Sequence, residues 1–384
     1  MRRPSEWGQP CPNPECSRHG MIGHGNVRAI STYETKSGKR RIFKCHMCGT
    51  SFSETRDTVF YDLRTSEEKV IMALKMMLVR VDLAGICFVL GVTEETILDW
   101  LGKAAKKAHE INEILLRNVA VKKVELDEMW NFIGRKHSKE SGEDGEASPD
   151  SEDGRQWLWV GFAPEFRLML AVFVGPRTFE SALTLIQQTA AVVSGIPCFF
   201  SDGFSSYLPA LIKVYHRIKT FPRTGKAGRP KNPLIEPHPE LVYAQIIKKK
   251  VQGKLQSLTQ RVLCGANRLK ALGFSISTSL IERLNLTMRH ALAPLTRKSL
   301  AFCKDRNQMR KRVVLFHAFY NFVRPHHSLK IPMPEDERAI SGLICPKWIK
   351  RSPGMAAGIT DHVWSFRELL TVKFEPIQNQ SIRG

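Results

Sequence analysis

Residues 121–133 read VKKVELDEMWNFI. Apolar residues alternate through this stretch with acids, which is the two-residue period of a strand. That period sends Glu125, Asp127 and Met129 to one face and Val124, Leu126, Glu128 and Trp130 to the other. A carboxylate inside an apolar strand is costly to bury unless it is paired or holds a metal. Outward from this strand, residues 157–162 and 168–174 read as a hairpin, and 179–193 as an amphipathic helix. Residues 197–201 form a short apolar strand, and 205–216 a second helix. Three strands, a helix, a strand and a helix predict an α/β fold, a mixed sheet with flanking helices.

Two more acids fit this frame. Asp202 closes the apolar run PCFFS and precedes Gly203. The carboxyl end of a strand is where open α/β sheets bind ligands. Glu282 lies in TSLIERLNLTMRHAL, where Ile281, Leu284, Met288, Ala291 and Leu295 form an apolar stripe. Glu282, Asn285 and Arg289 fall on the stripe beside it. Each acid taken singly reads equally well as a surface or capping carboxylate. Together, two strand aspartates and a helix glutamate form the ligand set of a two-metal phosphoryl-transfer site. Their hard oxygens suit two Mg2+ or Mn2+ ions. Glu128 is a rival to Asp127, but strand parity admits only one of them to the site face.

The chain has 384 residues and 58 Lys+Arg against 37 Asp+Glu, a formal charge of +21. Such a surface attracts polyanions, nucleic acid first among them. No apolar run reaches the ~20 residues of a membrane span. The N-terminus MRRPSEWGQP lacks the apolar stretch of a signal peptide. The expected location is therefore cytoplasmic and nucleoid-associated, where a disulfide framework is not expected. Residues 137–156 are acidic and Gly/Ser-rich and read as a loop. Residues 223–275 are basic and punctuated, and read as an inserted module with some helix. Within it, GKAGRPKNP offers Arg229 to a narrow minor groove, or is a solvated linker. Residues 276–292 and 300–323 read as helices, and the tail as irregular with one strand near 369–374.

Two modules precede the sheet. Cys11-x4-Cys16 and Cys45-x2-Cys48 present two close thiol pairs, the pattern of a closed structural Zn2+ site. His19, His24 and His46 stand nearby as competing ligands. Residues 65–117 read as helices, with Thr65 and Glu68 in capping-box spacing and Gly91 breaking a helix–turn–helix. Its last helix, from Thr93, would bury Ile97, Leu98 and Leu101 and leave Lys103, Lys106 and Lys107 for the DNA backbone. A helical spacer without groove contact is the alternative. The resulting organisation is a zinc-ribbon-like module at 1–56, a helix-turn-helix region at 65–117, a catalytic domain at 120–325 and a tail at 326–384.

Several stretches resemble the DDE-type transposases of bacterial insertion sequences, most nearly the insertion-sequence-one group with its InsA and InsB frames. They are LDEMWNFIGRK, RQWLWVGF, SDGFSSYLPAL and IERLNLTMRHALAPLTRKSLAFCKD, in that order. YNFVRPHHSL resembles a tail segment of such enzymes. The resemblance implies a ribonuclease-H-like catalytic domain with Asp127, Asp202 and Glu282 as its triad. It also implies metal-dependent cleavage and strand transfer of element ends, with Arg289 as the basic residue seven positions after the glutamate. The implied partners are double-stranded DNA and a second copy of the chain. Two other classes remain open: a metal-dependent ribonuclease-H-like nuclease that cuts without joining, and a non-catalytic DNA-binding regulator.

Overall fold

The computed structural model describes residues 9–134, 154–221, 232–252, 254–296, 299–334 and 347–374. They fall into two compact units. The first comprises Met1–Met76, Leu83–Ala108 and Trp364–Gly384, and the second Met77–Asp82 and His109–Val363. Residues 137–153 of the acidic stretch and Arg229 lie outside the described residues.

The first unit opens with an antiparallel sheet of β1 (Val27–Thr35), β2 (Gly38–Cys45) and β3 (Ser51–Ser53). Three helices follow: α1 (Glu67–Met77), α2 (Leu83–Leu90) and α3 (Glu94–Leu115). Helix α1 begins at Glu67, whose amide donates to Ser37 Oγ at 2.7 Å. Between α2 and α3, Gly91 takes φ +59°, a left-handed turn that glycine enters without steric cost. Thr93 Oγ1 then accepts from the Thr96 amide and caps α3. The expected strand near 369–374 is a helix, Phe366–Thr371. Ser365 and Glu368 form a reciprocal capping box there, and that local signal outweighs the apolar run behind it.

The second unit is built on a six-stranded sheet. Its strands are β4 (Lys123–Ile133), β5 (Gly154–Ala163), β6 (Leu168–Gly175), β7 (Cys198–Ser201), β10 (Val242–Val251) and β11 (Lys254–Cys264). Among the described residues, strands β8 (His216–Lys219) and β9 (Leu234–Pro237) pair only with each other. The sheet order is β11-β10-β7-β4-β5-β6. β4, β5 and β6 run antiparallel, whereas β7 is parallel to β4 and β10 parallel to β7. Helices α4 (Phe179–Val192) and α5 (Tyr207–Val214) pack on each other, and α7 (Ser279–Ala291) packs on β4. Gly161 lets α4 approach β5, since a Cβ there would lie 2.7 Å from Thr189 Oγ1.

Strand β6 ends the sheet yet is almost wholly buried. Its backbone groups at Met169 are satisfied by side chains rather than by a further strand. The Met169 amide donates to Asn321 Oδ1, and its carbonyl accepts from His317 and Asn321. Both partners come from α8 (Arg306–Ala318) and the π-helical turn Phe319–Val323 that continues it. Covering an edge in this way blocks edge-to-edge pairing. Helix α8 starts later than the apolar period suggests because Asp305 caps it, accepting from the Asn307 and Gln308 amides at 3.0 Å.

The segment 223–275, read as an inserted module with some helix, holds β9, β10, β11 and the short helix α6 (Ala266–Leu272). Its basic run concealed this. Val242–Ile246 is the buried half of β10, while Lys248 and Lys249 sit on its exposed half. The tail also holds a strand pair, β12 (His326–Pro332) with β13 (Trp348–Arg351). No helix among the described residues is long and apolar enough to cross a membrane.

Candidate active site and metal centres

Strand parity delivers the first acid as expected. Glu125, Asp127 and Met129 all meet α7: Glu125 Oε2 accepts from the Ile281 amide at 2.7 Å, Asp127 Oδ2 from Asn285 Nδ2 at 2.6 Å, and Met129 Sδ from Arg289 Nε. Glu128 faces the other way. Its carboxylate accepts from Arg177 Nε and Nη2 through Oε1 and from the Tyr207 hydroxyl at 2.9 Å through Oε2. Parity nonetheless fails to exclude Glu128 from the site. One carboxylate oxygen each of Asp127, Glu128 and Asp202 lies within 4.8 Å of the others. The pairing of β7 with β4 stops at Ser201 opposite Leu126. Beyond that point β4 has no β7 neighbour, and side chains of both parities reach the gap that Asp202 occupies.

Asp202 is held by its own turn, accepting from the Phe204 amide at 3.1 Å. Beneath it, Ser201 Oγ bonds the Tyr243 hydroxyl at 2.7 Å, and Gln245 Nε2 donates to that hydroxyl and to the Phe204 carbonyl. Glu282 is exposed and stands at the margin. Lys248 Nζ and Thr278 Oγ1 both donate to its Oε1, and it is not one of the three acids that converge. Arg289 is half-buried on the same helix.

The electrostatics follow from this crowding. Burial, then the charges of Asp202 and Glu128, push Asp127 from 3.8 up to about 8. Burial raises Glu125 to about 7 despite the α7 amide it accepts from. Burial and Asp202 raise Glu128, opposed by Arg177 and Tyr207. A group of carboxylates that repel one another this strongly is suited to a cation. The Asn285 Oδ1 atom, buried with no hydrogen-bond partner among the described residues, adds a further oxygen beside Asp127. The donor set is hard oxygen throughout and fits Mg2+ or Mn2+.

Sequence reasoning placed Glu125 and Asn285 on the right faces without giving either a task. Glu125 anchors the first turn of α7, accepting from main-chain amides there, and so fixes the helix that carries Asn285 and Glu282. Arg177 and Tyr207 lie far from Glu128 in sequence, and no local pattern announces them.

In the first unit, Cys11, Cys16, Cys45 and Cys48 bring their sulfurs within 4.8 Å of one another. Cys11 and Cys48 are 3.6 Å apart, and Cys16 and Cys45 3.8 Å. A tetrahedral zinc with Zn–S bonds of ~2.3 Å requires sulfur separations of ~3.8 Å, so the four thiols fit that ion. Asn26 Nδ2 donates to Cys45 Sγ at 3.5 Å, an outer-shell contact of the kind that orients a ligand. His24 is occupied by Arg18, and none of His19, His24 and His46 belongs to the cluster. On α3, Ile97 and Leu101 are buried as expected. Lys106 is exposed, and Lys103 pairs with Asp99 at 3.2 Å. Lys107 is buried at 7% exposure, which removes it from the surface offered to DNA. The apolar face of α3 is wider than the sequence reading allowed, since Ala104, Ala108 and Ile111 continue it.

No family model and no curated protein matches the chain. Among solved structures, similarity is found to the Mos1 transposase paired-end complex with left transposon end, at 15% identity and TM-score 0.16. That match covers 38% of this chain and 56% of the other. The Mos1 strand transfer complex matches at 16% identity and TM-score 0.17, over 38% and 55% of the two chains. The Mos1 mariner paired-end complex with Mn matches at 14% and 0.16, over the same shares. The matches span little more than half of the Mos1 chains, and similarity at these scores carries no weight for function. The insertion-sequence-one grouping finds no support in these comparisons.

Proposed function

We propose that the chain is a DDE-type transposase, which cuts double-stranded DNA and joins the freed end to a target at Asp127, Asp202 and Glu282. The observation that carries this reading is the convergence of Asp127 and Asp202 from adjacent parallel strands, with Asn285 of α7 on Asp127. The sheet supports it. An antiparallel trio whose first strand is extended on its other side by parallel strands is the ribonuclease-H-like arrangement that the sequence resemblance implies. Mg2+ or Mn2+ bound there would activate the attacking oxygen and stabilise the leaving one. Asp127 and Asp202 would hold the ions, and Asn285 orients the Asp127 carboxyl. Glu282, now paired with Lys248, would be the third ligand. Arg289 holds a DNA phosphate beside this face, and no Ser or Tyr nucleophile is required. The zinc module, Lys103 and Lys106 of the helical region, and Arg229 contribute to DNA binding. A second copy of the chain would handle the other element end.

The test uses the full, zinc-loaded chain and end-labelled duplexes drawn from the DNA flanking its gene, with Mn2+. Joined products longer than the substrate support the proposal. Shortened products alone would make the chain a nuclease. Binding with no cleavage would make it a regulator.

A further inference from the structure

Arg177 belongs to the loop between β6 and α4, directly before the α4 cap Thr178. Its guanidinium carbon lies 4.4 Å from the centre of the Phe204 ring and 4.9 Å from that of Trp157. Stacking on aromatic faces fixes the plane of the fork. Nε and Nη2 are both spent on Glu128 Oε1, at 3.0 and 2.5 Å. Nη1 has no hydrogen-bond partner among the described residues, and the side chain keeps 39% exposure while that of Glu128 keeps 1%. Two separate contacts tie this cation to the acids. Glu128 is one of the three converging carboxylates, and Phe204 is bound through its amide to Asp202.

The placement has an energetic consequence. Burying the Glu128 carboxylate carries a desolvation penalty that a half-exposed partner only partly repays. A fixed positive charge beside acids suited to a divalent cation also weakens that cation's binding. Both costs make sense if the guanidinium meets an anion that arrives with the substrate. We propose that Arg177 is a phosphate-binding residue of this site: its fork is set by Trp157, Phe204 and Glu128, and Nη1 donates to a non-bridging oxygen of the DNA phosphate that enters beside Asp127 and Asp202. This rests on the functional reading above and assigns it a further contact. Glu128 acts through Arg177 as a positioning residue, with the buried Tyr207 hydroxyl securing its second oxygen.

The informative variant is Arg177→Gln, which removes the charge and the fork while leaving all three converging acids in place. In the full zinc-loaded chain, Mn2+ affinity is titrated by electron paramagnetic resonance and nicking of a labelled duplex is followed in saturating Mn2+. A charge-assisted phosphate contact is worth about 10- to 100-fold. Arg177→Gln is expected to lose nicking by that factor while Mn2+ affinity does not fall. Its salt dependence of duplex binding in Ca2+, as log K against log[salt], should flatten by about one phosphate contact. Arg177→Lys keeps the charge without the fork and should remain impaired. Wild-type nicking by Arg177→Gln overturns the proposal, and so does loss of Mn2+ affinity in step with nicking, because Arg177 is then merely structural. If the wild-type chain neither binds Mn2+ nor nicks DNA, the functional reading beneath fails as well, and the two failures are distinguishable.

Discussion

Replacing Asp127 by Asn should end the chemistry and stabilise the metal-free fold at once. Asp127 is moved from 3.8 to about 8 by burial and by its neighbours Asp202 and Glu128. A folded-state value above the unfolded one means that the protonated form is the one the fold prefers. That stability is fully present below pH ~4 and is lost as pH rises towards ~8. At about 1.36 kcal/mol per pH unit the whole interval corresponds to ~6 kcal/mol. Side-chain relaxation and water entering the gap screen roughly half of it. Asparagine keeps one acceptor for Asn285 and gives up the bond that Asp127 Oδ1 accepts from the Glu128 amide, at a cost of ~1 kcal/mol. The net gain at pH 8 is then ~2 kcal/mol, or a rise of about 5 °C in Tm for a domain of this size. Near pH 5 the gain should vanish. The assay is calorimetry of both proteins at the two pH values, freed of Mg2+ and Mn2+ with zinc retained. Added Mn2+ should raise the Tm of the wild type and not of the variant. An Asp127→Asn protein no more stable than wild type at pH 8, or equally stabilised at both pH values, refutes the reasoning.

Three further outcomes are expected. Cys45→Ser should abolish the bound zinc measured by elemental analysis and speed hydrogen exchange across β1 and β2, because the ligands close that sheet. Glu125→Ala should cost about 1–3 kcal/mol by urea denaturation, since the Ile281 amide of α7 loses its acceptor. It should also slow nicking, whereas Glu125→Gln should do so less. His317 is lowered by burial to about 4, so its neutral form is the folded one. Stability from this group is present above ~6.5 and lost as pH falls towards ~4, by up to about 3 kcal/mol. Urea midpoints between pH 7 and 4 should show the loss, and His317→Gln should flatten it.

The central strand was legible because its period survives its acids: the faces read from VELDEM are the faces that meet α7 and α5. Asp202 was legible from the end of a short apolar strand. The strand pair β10–β11 was not, because Lys248 and Lys249 continue a buried strand into solvent and their charge resembles that of a linker. The parity rule that sets Glu128 aside assumes a paired neighbour on both edges, and the pairing with β7 ends two residues short of Glu128. A narrow apolar stripe leaves Lys107 on the surface, whereas α3 is covered around more of its circumference. The Arg177–Glu128–Tyr207 group and the Asn321–Met169 cover of β6 join residues distant in the chain. Such contacts are set by the packed fold, beyond the reach of local periodicity.

The central claim is that Asp127 and Asp202 together hold a divalent cation for DNA chemistry. Its most direct test is an Mn2+ titration of the zinc-loaded chain by electron paramagnetic resonance, comparing wild type with Asp127→Asn and Asp202→Asn. The account predicts tight Mn2+ binding that either substitution abolishes while the zinc content stays unchanged. Mn2+ bound equally well by the wild type and both variants would contradict it.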